Sequence, residues 1–163
     1  MGPSICPPDV YSLAREVGFK IGRAGAILIC GGGCGVMEAA ARGAKEAGGM
    51  TIGILPGDRA DEANAYIDIP IVTGMGNARN TINVLTSQAI IAIHGSYGTL
   101  SEIALALKCR TPVVGLRTWG LAPPEGIPLQ IKLTQNAEEA VTAALRMIPI
   151  SKVRGDTSAR NIV

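Results

Sequence analysis

Residues Ile90–Lys108, IIAIHGSYGTLSEIALALK, decide the fold. An apolar run from Ile90 ends at His94, a loop broken by Gly95 and Gly98 follows, and a helix is predicted over Leu100–Lys108. A run apolar on both faces that turns at once into a helix is the βα unit of a covered parallel sheet. Thr99 and Glu102 stand at the predicted helix entrance with the spacing of a capping box. In that arrangement the Thr oxygen takes one orphan N–H and the Glu reaches back to another. Glu102 is equally a candidate for a carboxylate held at a binding site.

The same unit recurs on either side. Upstream, a helix is predicted from Pro8 to about Ala24, with Val10, Leu13, Ala14, Val17 and Ile21 on one face and Pro8-Asp9 as its start. Strands are expected at Ala26–Cys30 and Met50–Leu55, with a small-residue helix from Val36 to Ala47 between them, stopped by Gly48-Gly49. YIDIPIV reads as a weaker strand, and a helix from about Asn77 to Ser87 precedes the opening stretch. Downstream come a strand at Pro112–Leu116, a Pro-rich loop over Thr118–Pro128, a short strand in LQIKLT and a helix over Ala137–Met147 capped by Asn136.

The expected fold is therefore α/β: a doubly wound, Rossmann-like parallel sheet with helices on both faces. It forms one domain over residues 1–150, followed by a polar, loose tail over 151–163. MGPSICPP (1–8) reads as the loop that follows a strand, yet no strand precedes it. The first strand is thus expected to be missing, with a native start upstream of Met1 as one explanation.

Composition narrows the function. Hydrophobic residues make up 47% of the 163 and charged ones only 17%, against roughly 25% in typical soluble domains. So bare a surface predicts cover by a further subunit, as a homodimer or homotetramer. A net charge of +2 with 3% aromatics offers neither a phosphate-backbone field nor stacking platforms, so nucleic acid is not expected as a partner. Cys6, Cys30, Cys34 and Cys109 form no CxxC pair and the chain has a single His, so no metal site is expected. No apolar run reaches the ~20 residues that span a bilayer and no signal peptide is visible. Free thiols then point to the cytoplasm, with no membrane partner.

Three loops at strand-to-helix turns carry the candidate chemistry, because ligands of such folds sit beyond the carboxyl ends of the strands. In CGGGCGVMEA, Gly31, Gly32 and Gly33 permit close backbone approach and the helix after them offers N–H groups to an anion. Val36 breaks the dinucleotide fingerprint GxGxxG, and no GxxxxGK[ST] occurs. In TGMGNARNTINV, Arg79 stands in a first helical turn, where its charge has the wrong sign for the macrodipole unless an anion neutralises both. In HGSYGTLSE, Gly95, Ser96 and Gly98 add N–H donors and a hydroxyl suited to phosphate. His94 is read as capping a hydrogen bond at a strand end. Cys34 is read as a small residue in a crowded turn, with a lowered pKa at the helix start as the alternative.

GGGCGVMEAA (31–40), GGMTIGILPG (48–57) and GSYGTLSE (95–102), in this order, resemble the superfamily of the LONELY GUY phosphoribohydrolases, often mislabelled lysine decarboxylases. TGMGNARN (73–80) and GTLSEIALAL (98–107) are similar to the branch that includes the molybdenum cofactor carrier proteins. The likeness covers residues 1 to about 148. It implies a bound nucleotide, phosphate or molybdopterin-type cofactor, held by Gly31, Gly32, Gly33, Gly35, Arg79, Asn80, Gly95, Ser96, Tyr97, Gly98, Thr99 and Glu102. LONELY GUY enzymes cleave the N-glycosidic bond of nucleoside 5′-monophosphates, and their signature PGGxGTxxE with an upstream Arg falls on Thr99, Glu102 and Arg79. In a hydrolase Glu102 would stabilise an oxocarbenium-like centre or orient water, and Arg79 would neutralise the phosphate. His94 stands where the signature has Pro, and Asn80 where the enzymes usually carry Lys. The resemblance thus implies a binding protein for a phosphorylated ligand, with a phosphoribohydrolase as the alternative.

Overall fold

The computed structural model describes residues 1–148, and the polar tail expected over 151–163 lies outside them. The chain runs α1 (Pro8–Arg23), β1 (Leu28–Cys30), α2 (Val36–Glu46), β2 (Thr51–Leu55), β3 (Ile69–Val72), α3 (Asn80–Thr86), β4 (Ile90–Ile93), α4 (Tyr97–Lys108), β5 (Val113–Leu116), β6 (Ile131–Thr134) and α5 (Ala137–Met147). Short 3-10 turns occupy Ala60–Glu62 and Gly76–Arg79. The expected α/β order holds.

All strand pairs are parallel, but they form two sheets of three strands, ordered β1-β2-β3 and β4-β5-β6. The two edges that would meet at the centre of one doubly wound sheet, β1 and β4, do not pair. Met1 lies along the β4 edge: its amino group donates to the Ile91 carbonyl at 2.7 Å while its carbonyl accepts from Ile93 N at 2.9 Å. That is a single rung of a parallel ladder. The two unpaired edges thus leave a slot between the sheets, and no strand precedes α1 among the described residues.

Helices cover both faces, as the alternation of β4 and β5 dictates. Ile93, Val114 and Leu116 pack with Val10, Ala14 and Val17 of α1, Val36 and Ala39 of α2, and Ala140, Val141 and Ala144 of α5. Ile90 and Val113, of opposite parity, pack instead with Val84 of α3 and Ala106 of α4. Small residues let α1 and α2 touch backbone to backbone: a Cβ at Gly18 would collide with the Ala40 carbonyl. Val84, Val113, Val114, Ala106 and Ala140 are fully buried, and each contributes about 0.8 kcal/mol per CH₂ withdrawn from water.

The capping box is real, but it belongs to α5. Asn136 Oδ1 accepts from Glu139 N at 2.9 Å, and Glu139 carboxylate oxygens accept from Gln135 N and Asn136 Nδ2. At α4 the expectation fails. The helix begins at Tyr97 with Ser96 as its N-cap and no side-chain capping bond. Thr99 therefore lies inside the first turn and Glu102 in the second, too far along to reach back to the cap.

Candidate functional site

The carboxyl ends of β1 and β4 face one cavity of about 840 Å³, which continues into the central slot. Its mouth is lined by Gly31, Gly33, Arg79, Asn80, Ser96, Gly98, Thr99 and Glu102. The first glycine loop, the Arg-bearing turn and the GSYGT loop thus converge although they are far apart in sequence.

Arg79 closes the 3-10 turn that leads into α3. Its guanidinium lies against the backbone of Gly31, where a Cβ would come within 2.5 Å of Nη2. Nη1 donates to Asn80 Oδ1 at 2.8 Å and stands 3.8 Å from Glu102 Oε1. Arg79 Nε is buried without a partner. The guanidinium, on a residue that lines the cavity, therefore retains an unpaired donor, and its charge matches a phosphate or carboxylate.

Glu102 is 6% exposed, and Asn83 Nδ2 donates to its Oε1 at 3.3 Å. Asn83, itself buried, has an unpartnered Oδ1. Sequence reading passed over Asn83, whose signal was its position one helical turn after Arg79. Asn64, also unforeseen, holds the first loop in place: its Nδ2 donates to the Gly32 and Gly33 carbonyls at 3.0 and 2.8 Å.

The two helix entrances differ. At α2 the Val36 N–H donates to the Pro3 carbonyl at 3.1 Å, so the first donor expected to meet an anion there is already taken. At α4 no side chain caps the terminus. The amides of its first turn and the positive end of its macrodipole face the side where Ser96, Gly98 and Thr99 line the cavity.

Four candidates stand outside the lining. Gly32 turns its Cα toward Leu55 of β2, and Gly35 packs against Pro3 and Ser4. Gly95 backs onto the Trp119 indole, with its Cβ position 2.7 Å from Nε1. Tyr97 is 83% exposed and its ring lies 5.9 Å from that of Trp119. His94 does not cap a hydrogen bond through its ring: Nδ1 is buried without a partner, and the residue adopts φ 53°. Cys34 is exposed, so it is not packed into the turn.

Two titrating groups lie beneath the site. The Met1 amino group is buried, and loss of water pushes its pKa below the ordinary 8.0, with Arg79 adding to the shift and Glu102 and Cys30 opposing it. Burial likewise pushes the Cys30 thiol up, which keeps it protonated and unreactive. Among the described residues no group of three His, Cys, Asp or Glu side chains is arranged to hold a metal ion, and no helix is long and apolar enough to cross a membrane.

Comparison with known proteins follows the same lines. The SLOG cluster4 family profile matches residues 1–150. An uncharacterised protein of Archaeoglobus fulgidus is 45% identical over 141 residues, covering 86% of this chain and 89% of that one. The molybdenum cofactor binding protein of the phototrophic bacterium Rippkaea orientalis superposes with a TM-score of 0.81 at 38% identity, covering 91% of this chain and 94% of that one. A cytokinin riboside 5′-monophosphate phosphoribohydrolase of Mycobacterium tuberculosis is 36% identical over 98 residues, 58% of this chain and 52% of that one.

Proposed function

The chain belongs to the SLOG cluster4 family, and from that premise we propose that it binds a phosphorylated cofactor or nucleotide, with a molybdopterin-type cofactor as its cargo. The observation that carries this reading is the Arg79 guanidinium, laid over Gly31 with a buried, unpartnered Nε, in the cavity that Ser96, Gly98 and Thr99 also line. A phosphate between Arg79 and the α4 entrance would answer both the open helix end and the cation at the start of α3. The likeness to a molybdenum cofactor binding protein supports a cofactor-binding role. The residues present fit the phosphate end of such a group. Arg79, Ser96 and Thr99, which line the cavity, would hold it there.

Isothermal titration with inorganic phosphate, ribose 5-phosphate and AMP tests the proposal. Binding of the sugar phosphates that Arg79→Lys weakens by about tenfold or more supports it. Equal binding by the variant, or none by the wild type, overturns it.

The second reading is a nucleoside monophosphate phosphoribohydrolase, favoured by one observation. Glu102 is a nearly buried carboxylate beside Arg79, and Asn83 fixes its position. The partial similarity to a phosphoribohydrolase supports it over about half of that enzyme's length. Release of free adenine from AMP is the measurement, and no release rules this reading out for AMP.

Assembly into a homodimer or homotetramer is part of the same proposal. Every residue of β3 is exposed, with Ile69, Ile71 and Val72 more than 40% so. An open apolar edge strand of this kind invites pairing. Light scattering on wild type and Ile71→Lys decides it, since a monomeric wild type refutes the idea.

A further inference from the structure

Two charged side chains at the carboxyl edge of the first sheet lie against glycine. Arg79 covers Gly31, the residue after β1. Glu62 does the same beyond β2, where a Cβ at Gly57 would collide with both of its carboxylate oxygens. Only a glycine at 57 leaves room for that carboxylate. The corner is tied down from two directions. Asn64 N and Nδ2 donate to the Gly32 carbonyl at 2.8 and 3.0 Å, which fastens the turn ending at Glu62 to the first glycine loop. Gly74 N donates to the Gly57 carbonyl at 2.8 Å and Gly76 N to the Pro56 carbonyl at 2.9 Å, which fastens the turn carrying Asn77 and Arg79. Glu62 and Asn77 are therefore both placed at the Pro56–Gly57 corner, and both line the cavity that Arg79 lines.

Neither side chain is committed elsewhere. Arg59, three residues before Glu62, gives its Nε to Asp61 at 2.9 Å and its Nη2 to the same carboxylate. Among the described residues nothing donates a hydrogen bond to Glu62, and the Asn77 side chain makes none. Glu62 is exposed, unlike Glu102, which is nearly buried and accepts from Asn83. An ionised carboxylate only accepts, and its two oxygens match two parallel N–H donors, while a side-chain amide supplies donors of its own. Amine, ring N–H and carbonyl in a row form the edge of a 2-aminopyrimidinone, the ring edge shared by guanine and the pterins. Adenine instead sets an unprotonated ring nitrogen beside its amine, and a carboxylate repels that lone pair.

We infer that Glu62 and Asn77 select the ring of the ligand, a 2-aminopyrimidinone whose amine and ring N–H donate to the Glu62 carboxylate and whose carbonyl accepts from the Asn77 amide. The inference rests on the proposed binding of a phosphorylated ligand with its phosphate at Arg79. The ligand then spans the cavity, its anionic end at the start of α3 and its ring at the end of β2. Charge also fixes the direction of binding. Reversed, the ligand would set its phosphate against the Glu62 carboxylate, where like charges repel, and would leave the Arg79 guanidinium without an anion.

Titration calorimetry with GMP, neopterin monophosphate, AMP and ribose 5-phosphate on wild type, Glu62→Gln and Asn77→Ala tests this. The wild type is expected to bind GMP or the pterin about tenfold or more tightly than AMP, and the tighter of the two names the source of the ring. Glu62→Gln puts an amide nitrogen in place of one accepting oxygen and should cut that preference by about fivefold or more. Asn77→Ala removes a neutral donor and should cut it less. Equal affinity of the wild type for AMP and both aminopyrimidinones overturns the inference, and so does a preference that Glu62→Gln leaves intact. Ribose 5-phosphate, which carries no such ring, keeps the two readings apart. If it binds while no preference for a ring appears, this inference falls and the proposed function stands. If none of the four ligands binds, both fall. The preference is a ratio of affinities within one protein, so a general loss of folded protein does not imitate its disappearance.

Discussion

Arg79 Nη1 and Glu102 Oε1 face each other across 3.8 Å, on side chains 13% and 8% exposed. That distance is beyond a hydrogen bond, so the pair is attracted but not locked. The carboxylate has Asn83 as a donor, whereas the guanidinium has Asn80 as its acceptor and an idle Nε. Site behaviour follows from that imbalance, because the cation keeps donors free and the anion is already served.

Gly31→Ala should imitate the loss of Arg79. The new Cβ would come within 2.5 Å of Arg79 Nη2, so the guanidinium must move from its seat. Affinity for a phosphorylated ligand is expected to fall by roughly 1.5–3 kcal/mol, the range for a hydrogen bond to a charged group. In Gly31→Ala with Arg79→Lys the losses should not add, since both remove one contact. Titration calorimetry on the four proteins measures the coupling, and additive losses would count against a shared site.

Glu102→Gln separates binding from catalysis. Gln keeps an oxygen to accept from Asn83, so stability should change little. It removes the negative charge beside Arg79, so anion affinity should rise. Base release, where the wild type performs it, should fall by orders of magnitude, because an oxocarbenium-like centre loses its counter-charge. Weaker anion binding in this variant would contradict the placement of phosphate near Arg79.

Stability should rise with pH below about 8. The folded chain holds the Met1 amino group below its ordinary pKa of 8.0, so between the two values the unfolded chain binds more protons. Stability therefore increases as pH climbs through that window and is lost as pH falls. The window closes below the ordinary thiol value of 9.0, above which raised Cys30 acts in the opposite direction. Denaturant unfolding at about pH 6.5 and 8.5 measures the slope. Any extension of the chain at Met1 should flatten this contribution by abolishing the amine.

The two helix entrances should respond differently to alanine. Asn136→Ala breaks a formed capping box and should cost about 0.5–2 kcal/mol of stability. Ser96→Ala removes no capping bond, so stability should hold while phosphate affinity drops. Paired unfolding and titration experiments check both, and a large Tm loss in Ser96→Ala would assign that hydroxyl to the fold.

Much of this protein is legible in one dimension. Period-2 and period-3.6 patterns are local, so β2, α2 and α5 lie where the apolar spacing predicts, and Asn136 caps its helix as expected. The glycine loops and Arg79 are marked by residue type, and the doubly wound class follows from the alternation of strands and helices. Tertiary structure decided the rest. Helix α4 starts at Tyr97 rather than Leu100, which takes Glu102 out of the cap and turns it toward Asn83 and Arg79. The Val36 amide is taken by Pro3, and Asn83 enters the site from a helix turn that carries no motif. Local spacing encodes which face of an element is apolar, but which distant backbone donors and acceptors pair is settled only when the elements pack.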